Sequence, residues 1–314
     1  MITGQLLVSD TMTPNRPDLS PAWTGDSLTS HAAALRWSHN TTHVDLFGMY
    51  NDVGKGFRAD NGFVPQVDFR ETYGEGGYTF RPHGVISRLR TFLMLDRQTE
   101  RDGSPISRQV SPGFGMDTKM NGFMRFRYEN DTVRSGDRMF PRQQFVFTVQ
   151  VSPSRSISQL TVDGFVGQDV DFANSRPAHG ATVSLRANLN PTGHLELSLL
   201  QNERLLNVDD AAGLAGRLFT ARVSRVRGTY TFTARSFARV IGQYVSTHRD
   251  PGRYLSAVPA TSGTFSGSAL FAYKLNWQSV LFLGYGDDRE LSDLNRLEKT
   301  DRQFFVKISY AFQR

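Results

Sequence analysis

The chain has 314 residues, 36 Lys and Arg against 30 Asp and Glu, a formal net charge of +6 and no cysteine. This length suits one large all-β domain or two ordinary domains, and the lack of cysteine excludes a disulfide scaffold and thiolate chemistry. The basic residues are scattered without a run of five, so the composition does not favour binding to nucleic acid.

The first residues, Met1 to Gln5, show neither the basic region nor the apolar region of a signal peptide. No later stretch approaches the ~18 consecutive apolar residues of a membrane helix. A chain of low hydropathy can still cross a membrane as a β-barrel, because only alternate residues face lipid. Since such a barrel needs a signal peptide, we expect Met1 to be an internal start.

Strict alternation of apolar and polar residues is the dominant pattern, and it predicts strands with two different faces. The clearest alternating segments are 144–151, 181–189, 194–199 and 264–276. No stretch of comparable length has the period of a helix.

The predicted connections alternate between short turns and longer polar segments. Short turns are expected near 40–41, 82–83, 121–122, 153–154, 191–193, 234–235 and 277–278. Long polar loops are expected near 52–66, 97–104, 130–141, 168–179, 202–216, 246–263 and 286–301. With a strand before the first long loop and one after the last, the pattern predicts about 16 strands. Short turns on one side and long loops on the other are typical of outer-membrane barrels.

The fold class expected from this pattern is all-β, an antiparallel transmembrane β-barrel, either whole or part of a larger barrel. A soluble sandwich or propeller is the alternative. Propeller blades also repeat at ~40 residues, but each blade holds four short strands rather than two long ones.

The end of the chain carries a second signal. Phe304, Val306, Ile308, Tyr310 and Phe312 form one apolar face. An aromatic alternating strand at the C-terminus resembles the signal that the barrel-insertion machinery reads, although Gln313 and Arg314 follow Phe312. The alternative is the last strand of a soluble sheet.

In a barrel within lipid, the apolar faces point outward and the polar faces point into the lumen. The residues predicted to face the lumen are Arg125, Arg127, Gln144, Gln150, Arg186 and Glu196. The candidates for an aromatic girdle near the short turns are Tyr230, Phe232, Trp277, Tyr310 and Phe312.

The segment from Tyr50 to Arg70, YNDVGKGFRADNGFVPQVDFR, resembles a stretch in a family of large outer-membrane proteins. In that family, an N-terminal domain like carbohydrate-binding module family nine precedes a β-barrel domain of unknown function. The matching positions in the loop are Gly54, Phe57, Gly62, Phe63 and Pro65. Weaker matches follow in the same order at 78–82, 230–233, 243–244, 273–277 and 305–312.

The resemblance implies that residues 1–314 are the C-terminal part of an outer-membrane barrel from a Gram-negative bacterium, without the signal peptide and the N-terminal domain. It implies surface binding or transport of a glycan or related ligand. The expected partners are outer-membrane lipid, lipopolysaccharide and the insertion machinery, with no nucleic acid. It implies no catalytic residue and no cofactor.

Two other chemistries are open to this sequence. The seven histidines form no metal motif, although His39 and His43 flank a short turn. Acidic residues at 209–210 and 287–293 could bind divalent ions, but their spacing matches no EF-hand. The alternative functions are an outer-membrane hydrolase, with His179, His194 or His248 in its site, and a structural anchor for a carbohydrate-binding domain.

Overall fold

The computed structural model describes residues 1–21, 23–59, 62, 64–119, 121–208, 215–276, 278–292 and 294–310. Within these ranges the chain forms sixteen β-strands and one short 3-10 helix, Pro251–Arg253. None of the described helical residues forms a span that could cross a membrane.

The strands are long and follow one another closely along the chain. They are β1 Ile2–Met12, β2 Ser27–Asn40, β3 Val44–Val53, β4 Phe69–Phe80, β5 Ile86–Glu100, β6 Pro105–Thr118, β7 Gly122–Ser135, β8 Arg138–Val151, β9 Ile157–Asp171, β10 Arg176–Leu189, β11 Leu195–Val208, β12 Gly216–Thr233, β13 Ser236–Arg249, β14 Thr261–Lys274, β15 Ser279–Leu291 and β16 Leu297–Tyr310.

All sixteen strands belong to one sheet, in which each strand neighbours the strands that precede and follow it in sequence. The registers from β1 to β5 and from β8 to β16 are antiparallel. This order is that of an up-and-down barrel. The predicted fold class, an all-β antiparallel fold with about 16 strands, is confirmed.

Each of the seven predicted short turns falls between two strands. Side chains stabilise several of these turns by accepting hydrogen bonds from backbone N–H groups, as Ser, Thr and Asn commonly do in turns. Ser154 Oγ accepts from Ile157 N at 3.0 Å, and Asn276 Oδ1 accepts from Ser279 N at 2.8 Å. The turns were predictable because these residues carry the local chemistry that reverses the chain.

Several segments that we predicted as long loops are strands instead. The predicted loop 130–141 is almost wholly strand, since β7 ends at Ser135 and β8 begins at Arg138. The predicted loop 168–179 shrinks to the turn 172–175, and 97–104 shrinks to 101–104. These polar segments can extend the strands because ion pairs between neighbouring strands, such as Arg142–Asp131, take the place of apolar contacts.

Contacts divide the chain into two compact units. The first comprises Met1–Gly84, Arg88–Gly115 and Arg127–Gln143, and the second comprises Val85–Ser87, Met116–Phe126 and Gln144–Arg314. The second unit contains an apolar cluster beneath the 250–260 loop. Ala178, Leu206, Val208 and Leu218 are buried there, with Phe219 and Tyr254 packed against them.

The distribution of polar and apolar residues between the two faces of the sheet is the reverse of that in a soluble protein. Val240 is 58% exposed and Phe304 is 70% exposed, whereas Ser184 is 2% exposed and Asp169 is 4% exposed. On β10, for example, the exposed Val183 and Leu185 flank the buried Ser184, whereas on β16 every residue is exposed. We call the two sides the apolar face and the polar face.

Candidate functional site

The polar face of strands β8 to β13 in the second unit is the candidate site. Strand registers place its residues in rows that run across the sheet. One row joins Arg186 of β10 to Leu200 of β11 and then to Arg225 of β12. The next row joins Asn188, Ser198 and Arg227 in the same order.

Most arginines on the polar face are paired with carboxylates. In the second unit Arg186 lies 2.8 Å from Asp163, and Arg204 lies 3.1 Å from Asp169. Asp169 is buried. A buried carboxylate is stable only when it is paired and hydrogen-bonded, so these pairs allow charge to lie within the sheet.

The first unit follows the same rule. Arg90 binds Asp45 and also Glu75, the latter at 2.8 Å. Arg127 lies 2.9 Å from Glu129 on the same strand, while Arg142 pairs with the buried Asp131.

Not every arginine on this face follows the rule, and Arg239 of β13 is one that has no ion pair among the described residues. Arg225 and Arg227 form no ion pair within the described part of the chain, and the buried Nε of Arg227 has no hydrogen-bond partner there. Together with Arg186 they line a recess of about 250 Å³. Asn188 and Ser198 also line it, and Ser198 Oγ donates to Asn188 Oδ1 at 2.9 Å.

The structure places the residues predicted to face the lumen as follows. Gln144 and Gln150 lie on the polar face of β8, opposite Gly167 and Thr161. Arg186 lines the recess, and Glu196 lies one row beyond it, opposite Thr229.

Arg127 lies on β7, on the same face of the strand as Asp131, which pairs with Arg142. Arg125 lies two residues earlier on the same face of β7. A role for these six residues in a lumen stays a prediction.

The residues of the predicted terminal signal lie on or just beyond β16, and their role as a signal stays a prediction. Phe304, Val306, Ile308 and Tyr310 share one face of this strand, all of whose residues are exposed, and Phe312 lies outside the described residues. Tyr230 and Phe232, two girdle candidates, are exposed at the end of β12 with ring centroids 4.9 Å apart. Trp277, a third candidate, also lies outside the described residues.

The segment that carries the family resemblance includes the connection between β3, which ends at Val53, and β4, which begins at Phe69, close to the long loop expected near 52–66. Phe57 is buried, and a Cβ on Gly54 would lie 2.1 Å from Ser30 Oγ, so this position admits glycine alone without a shift. Gly62 and Pro65 lie in the same loop, while Phe63 is outside the described residues.

Sequence reasoning missed an internal repeat that relates β2–β4 to β10–β12. Leu35, Arg36, Thr41, His43, Leu46 and Asn51 recur as Leu185, Arg186, Thr192, His194, Leu197 and Asn202, and Tyr78-Thr79-Phe80 recurs as Tyr230-Thr231-Phe232. A self-comparison of the sequence at an offset near 150 residues would have revealed it.

The repeat has the same geometry in both copies. His43 Nδ1 lies 2.9 Å from Thr79 O, and His194 Nδ1 lies 2.8 Å from Thr231 O. Each histidine also contacts the tyrosine of the repeated Tyr-Thr-Phe segment.

Both copies of the repeat also contain an ion pair on the face of the sheet that carries the apolar residues. Asp52 pairs with Arg70 at 3.3 Å, and Glu203 pairs with Arg222 at 3.1 Å. The strand registers match in the two copies, because Met49 lies opposite Tyr73 and Leu200 lies opposite Arg225. The repeat therefore aligns Arg225 with Tyr73, and Arg227 with Glu75.

Three of the histidines make hydrogen-bonding contacts at the ends of strands. His43 and His194 each bind a backbone carbonyl at a short turn, whereas His248 lies at the far end of β13, 3.5 Å from Thr261 Oγ1. Within the described ranges no group of three His, Asp or Glu residues could hold a metal ion. Asp209, Asp210 and Asp293, predicted as ion-binding candidates, lie outside those ranges.

The 250–260 loop of the second unit is held by polar contacts over the ends of β9 to β12. Arg176 Nε donates to Asp171 at 2.8 Å and a second Arg176 nitrogen donates to Arg253 O. Burial raises the pKa of Tyr254, with Asp171 adding to the effect and Arg249 opposing it.

No family profile matches the chain, and no curated protein matches it. Among solved structures, the crystal structure of the outer membrane channel DcaP of Acinetobacter baumannii is similar to 99% of this chain over 97% of its own length. The sequence identity is 9% and the TM-score is 0.42, so the likeness carries no inference about function.

Proposed function

We propose that the chain is a transmembrane β-barrel of the bacterial outer membrane whose polar face lines an aqueous passage for polar solutes. The proposal rests on one observation, the exposure of the apolar face and the burial of the polar face. In this arrangement the apolar side chains would contact lipid, and the sheet would close so that β1 and β16 leave no unpaired backbone groups in the membrane.

The exposed apolar side chains would be costly to leave in water. Apolar surface costs roughly 25 cal/mol for each Å² left in water, and soluble monomers rarely expose patches larger than a few hundred Å². Here exposed apolar side chains recur along many strands, among them Phe145, Val166, Leu185 and Val240. A lipid environment removes this cost, whereas a soluble form would retain it.

Charged pairs mark where the apolar face ends. Going from the short turns toward the opposite strand ends, the apolar face of β11 and β12 passes from Leu197 and Val226 to the pair Glu203–Arg222. On β15 it passes from Tyr285 to Asp287, which binds Arg289 at 2.7 Å. An apolar band bounded by charge and aromatic rings is the pattern of outer-membrane barrels.

The finer part of the proposal concerns the solute. The resemblance at 50–70 implies a glycan or related ligand, and the polar face supplies amide, hydroxyl and guanidinium groups that suit hydroxylated solutes. Lipopolysaccharide would be the natural neighbour of the charged outer ends of the strands. The terminal apolar face of β16 would be read by the insertion machinery.

Conductance tests the passage. The full chain, refolded in detergent and added to a planar lipid bilayer, is expected to give discrete current steps, together with a compact band that changes mobility on heating. A folded, membrane-inserted protein that gives no current would contradict the passage. A chain that stays in water as a folded monomer would contradict the barrel.

A further inference from the structure

We infer that the recess lined by Arg186, Arg225 and Arg227 binds an oxyanion group, a carboxylate or a phosphate, carried by a small hydroxylated solute. This inference rests on the proposed function, because it names the class of solute that the polar face would select.

The first argument is charge balance. Several arginines on the polar face pair with carboxylates, as Arg204 pairs with Asp169 and Arg142 with Asp131, although the neighbouring Arg239 does not. Arg225 and Arg227 have no such partner among the described residues, and Arg186 is already neutralised by Asp163. Two guanidinium groups without counter-charge therefore share one recess. A planar guanidinium binds carboxylates and phosphates through two parallel hydrogen bonds, so an oxyanion complements it well.

The second argument is geometry. Arg225 and Arg227 lie two residues apart on one face of β12, so their backbones are about 7 Å apart. Arg186 lies two strands away from Arg225 in the same row, at a backbone separation of about 10 Å. Long arginine side chains at these separations can converge on one small group. The recess volume of about 250 Å³ suits a group of that size.

The third argument is the neutral polar lining. Ser198 Oγ donates to Asn188 Oδ1, which leaves the amide nitrogen of Asn188 available as a donor. Gln159 Nε2 donates to Gln150 Oε1 at 3.1 Å beside the same recess. These groups provide hydrogen bonds to hydroxyls next to a cationic centre. A hydroxylated anion can bind both the guanidinium groups and the neutral amide and hydroxyl groups. A simple inorganic ion would use the guanidinium groups alone.

One carboxylate, that of Glu196, lies close to the recess. Glu196 is one row from Arg227, opposite Thr229, but it forms no ion pair with Arg227 among the described contacts. Arg239 lies opposite Thr229 on the other side, and its guanidinium is over the Phe237 ring. The acidic group is thus offset from the recess rather than closing it.

The repeat supplies an internal comparison. At the positions equivalent to Arg225 and Arg227, the first unit has Tyr73 and Glu75, and Tyr73 Oη donates to Glu75 at 2.6 Å. There the acidic residue binds Arg90. The same backbone register therefore holds a self-neutralised network in one copy and an uncompensated basic pair in the other. The basic pair is a feature of the second copy alone.

The test uses three probes that share one sugar ring: glucuronate, glucose 6-phosphate and glucose. Each is titrated by calorimetry into the refolded full chain in detergent. We expect glucuronate or glucose 6-phosphate to bind at least tenfold more tightly than glucose, because hydrogen bonds to charged groups are worth about tenfold or more in affinity. Which of the two binds more tightly separates a carboxylate site from a phosphate site.

The variants are Arg225→Gln with Arg227→Gln, and Arg225→Tyr with Arg227→Glu, which copies the first unit. Both are expected to reduce affinity for the anionic probe to that for glucose. Arg222→Gln is the matched control, because Arg222 is on the same strand but on the other face, paired with Glu203. It should bind the anionic probe as the unchanged chain does.

Bilayer conductance, measured alongside calorimetry, distinguishes failure of the oxyanion site from failure of the proposed passage. If the bilayer currents persist while all three sugars bind equally, or while the double variants bind the anion normally, the oxyanion site is wrong and the passage stands. If Arg222→Gln weakens binding as much as the double variants do, affinity depends on the net charge of the protein and not on the recess, and the oxyanion site is also wrong. If no currents appear from the inserted protein, the passage is wrong, and the calorimetric preference still decides the oxyanion site.

Discussion

At the scale of single residues, close backbone contacts decide which positions tolerate a side chain. A Cβ added at Gly164 would lie 2.0 Å from Thr182 O, a backbone atom of the neighbouring strand. A backbone atom cannot move aside as the end of a side chain can. At Gly193, in a short turn, the same test meets nothing within 4 Å.

Gly164→Ala is therefore expected to destabilise the fold by about 1–3 kcal/mol, as overpacking usually does. Gly193→Ala is expected to change stability by less than about 0.5 kcal/mol. Urea titration of the two variants in detergent micelles, followed by tryptophan fluorescence, measures the difference. Equal midpoints for both variants would show that the β9–β10 spacing is not as tight as described.

Tyr254 gives a prediction for pH. Its raised pKa means that the folded chain favours the neutral phenol. The resulting stabilisation is complete below the ordinary tyrosine pKa of 10.0 and is lost as pH rises through the raised value. Absorbance at 295 nm should therefore show one tyrosine that ionises later than the others, and Tyr254→Phe should remove that phase. A titration unchanged by the substitution would contradict burial of this side chain.

At the scale of elements, the sequence was most informative where one face is apolar and the connection has its own chemistry. All seven short turns were predictable, because residues such as Ser154 and Asn276 reverse the chain through local hydrogen bonds. The strand extensions were not predictable, since at 130–141 both faces are polar and alternation disappears. There the pairing depends on partners distant in sequence, and single-sequence periodicity does not report them.

The same limit applies to the candidate site. Arg186 could be selected from the alternation of β10, but Arg225 and Arg227 stand in a segment where arginine and valine alternate without an obvious polar face. Their significance depends on lacking carboxylate partners. Sequence shows where arginines are, and the registers of three strands are needed to show which of them are unpaired.

The two faces of β13 make contrasting predictions for the same new residue. Val240→Arg would place a charge on the apolar face, which costs about 2–4 kcal/mol near the middle of a bilayer. Gln243→Arg would place it on the polar face, opposite Arg225, where water is expected to screen the repulsion between the two cations. Folding yield into lipid vesicles, read from heat-modifiable mobility, should fall for the first variant and remain near normal for the second. Similar yields would argue against a lipid-facing β13.

At the scale of the whole molecule, the chain forms sixteen sequential antiparallel strands with an exposed apolar face. This arrangement suits a membrane, where the apolar face contacts lipid and the polar face is shielded from it. The internal repeat has an offset of eight strands, because it relates β2–β4 to β10–β12. The relation between the copies is clearest at their turns, in the pairs His43–Thr79 and His194–Thr231.

The most direct measurement is cysteine accessibility along β13, which the absence of native cysteine makes straightforward. Single cysteines are placed at positions 239 to 244, and the refolded chain in lipid vesicles is treated with a membrane-impermeant maleimide. If the apolar face of β13 contacts lipid, labelling will alternate, with positions 239, 241 and 243 reactive and positions 240, 242 and 244 protected. Equal labelling at all six positions, or protection of the polar face instead, would contradict it.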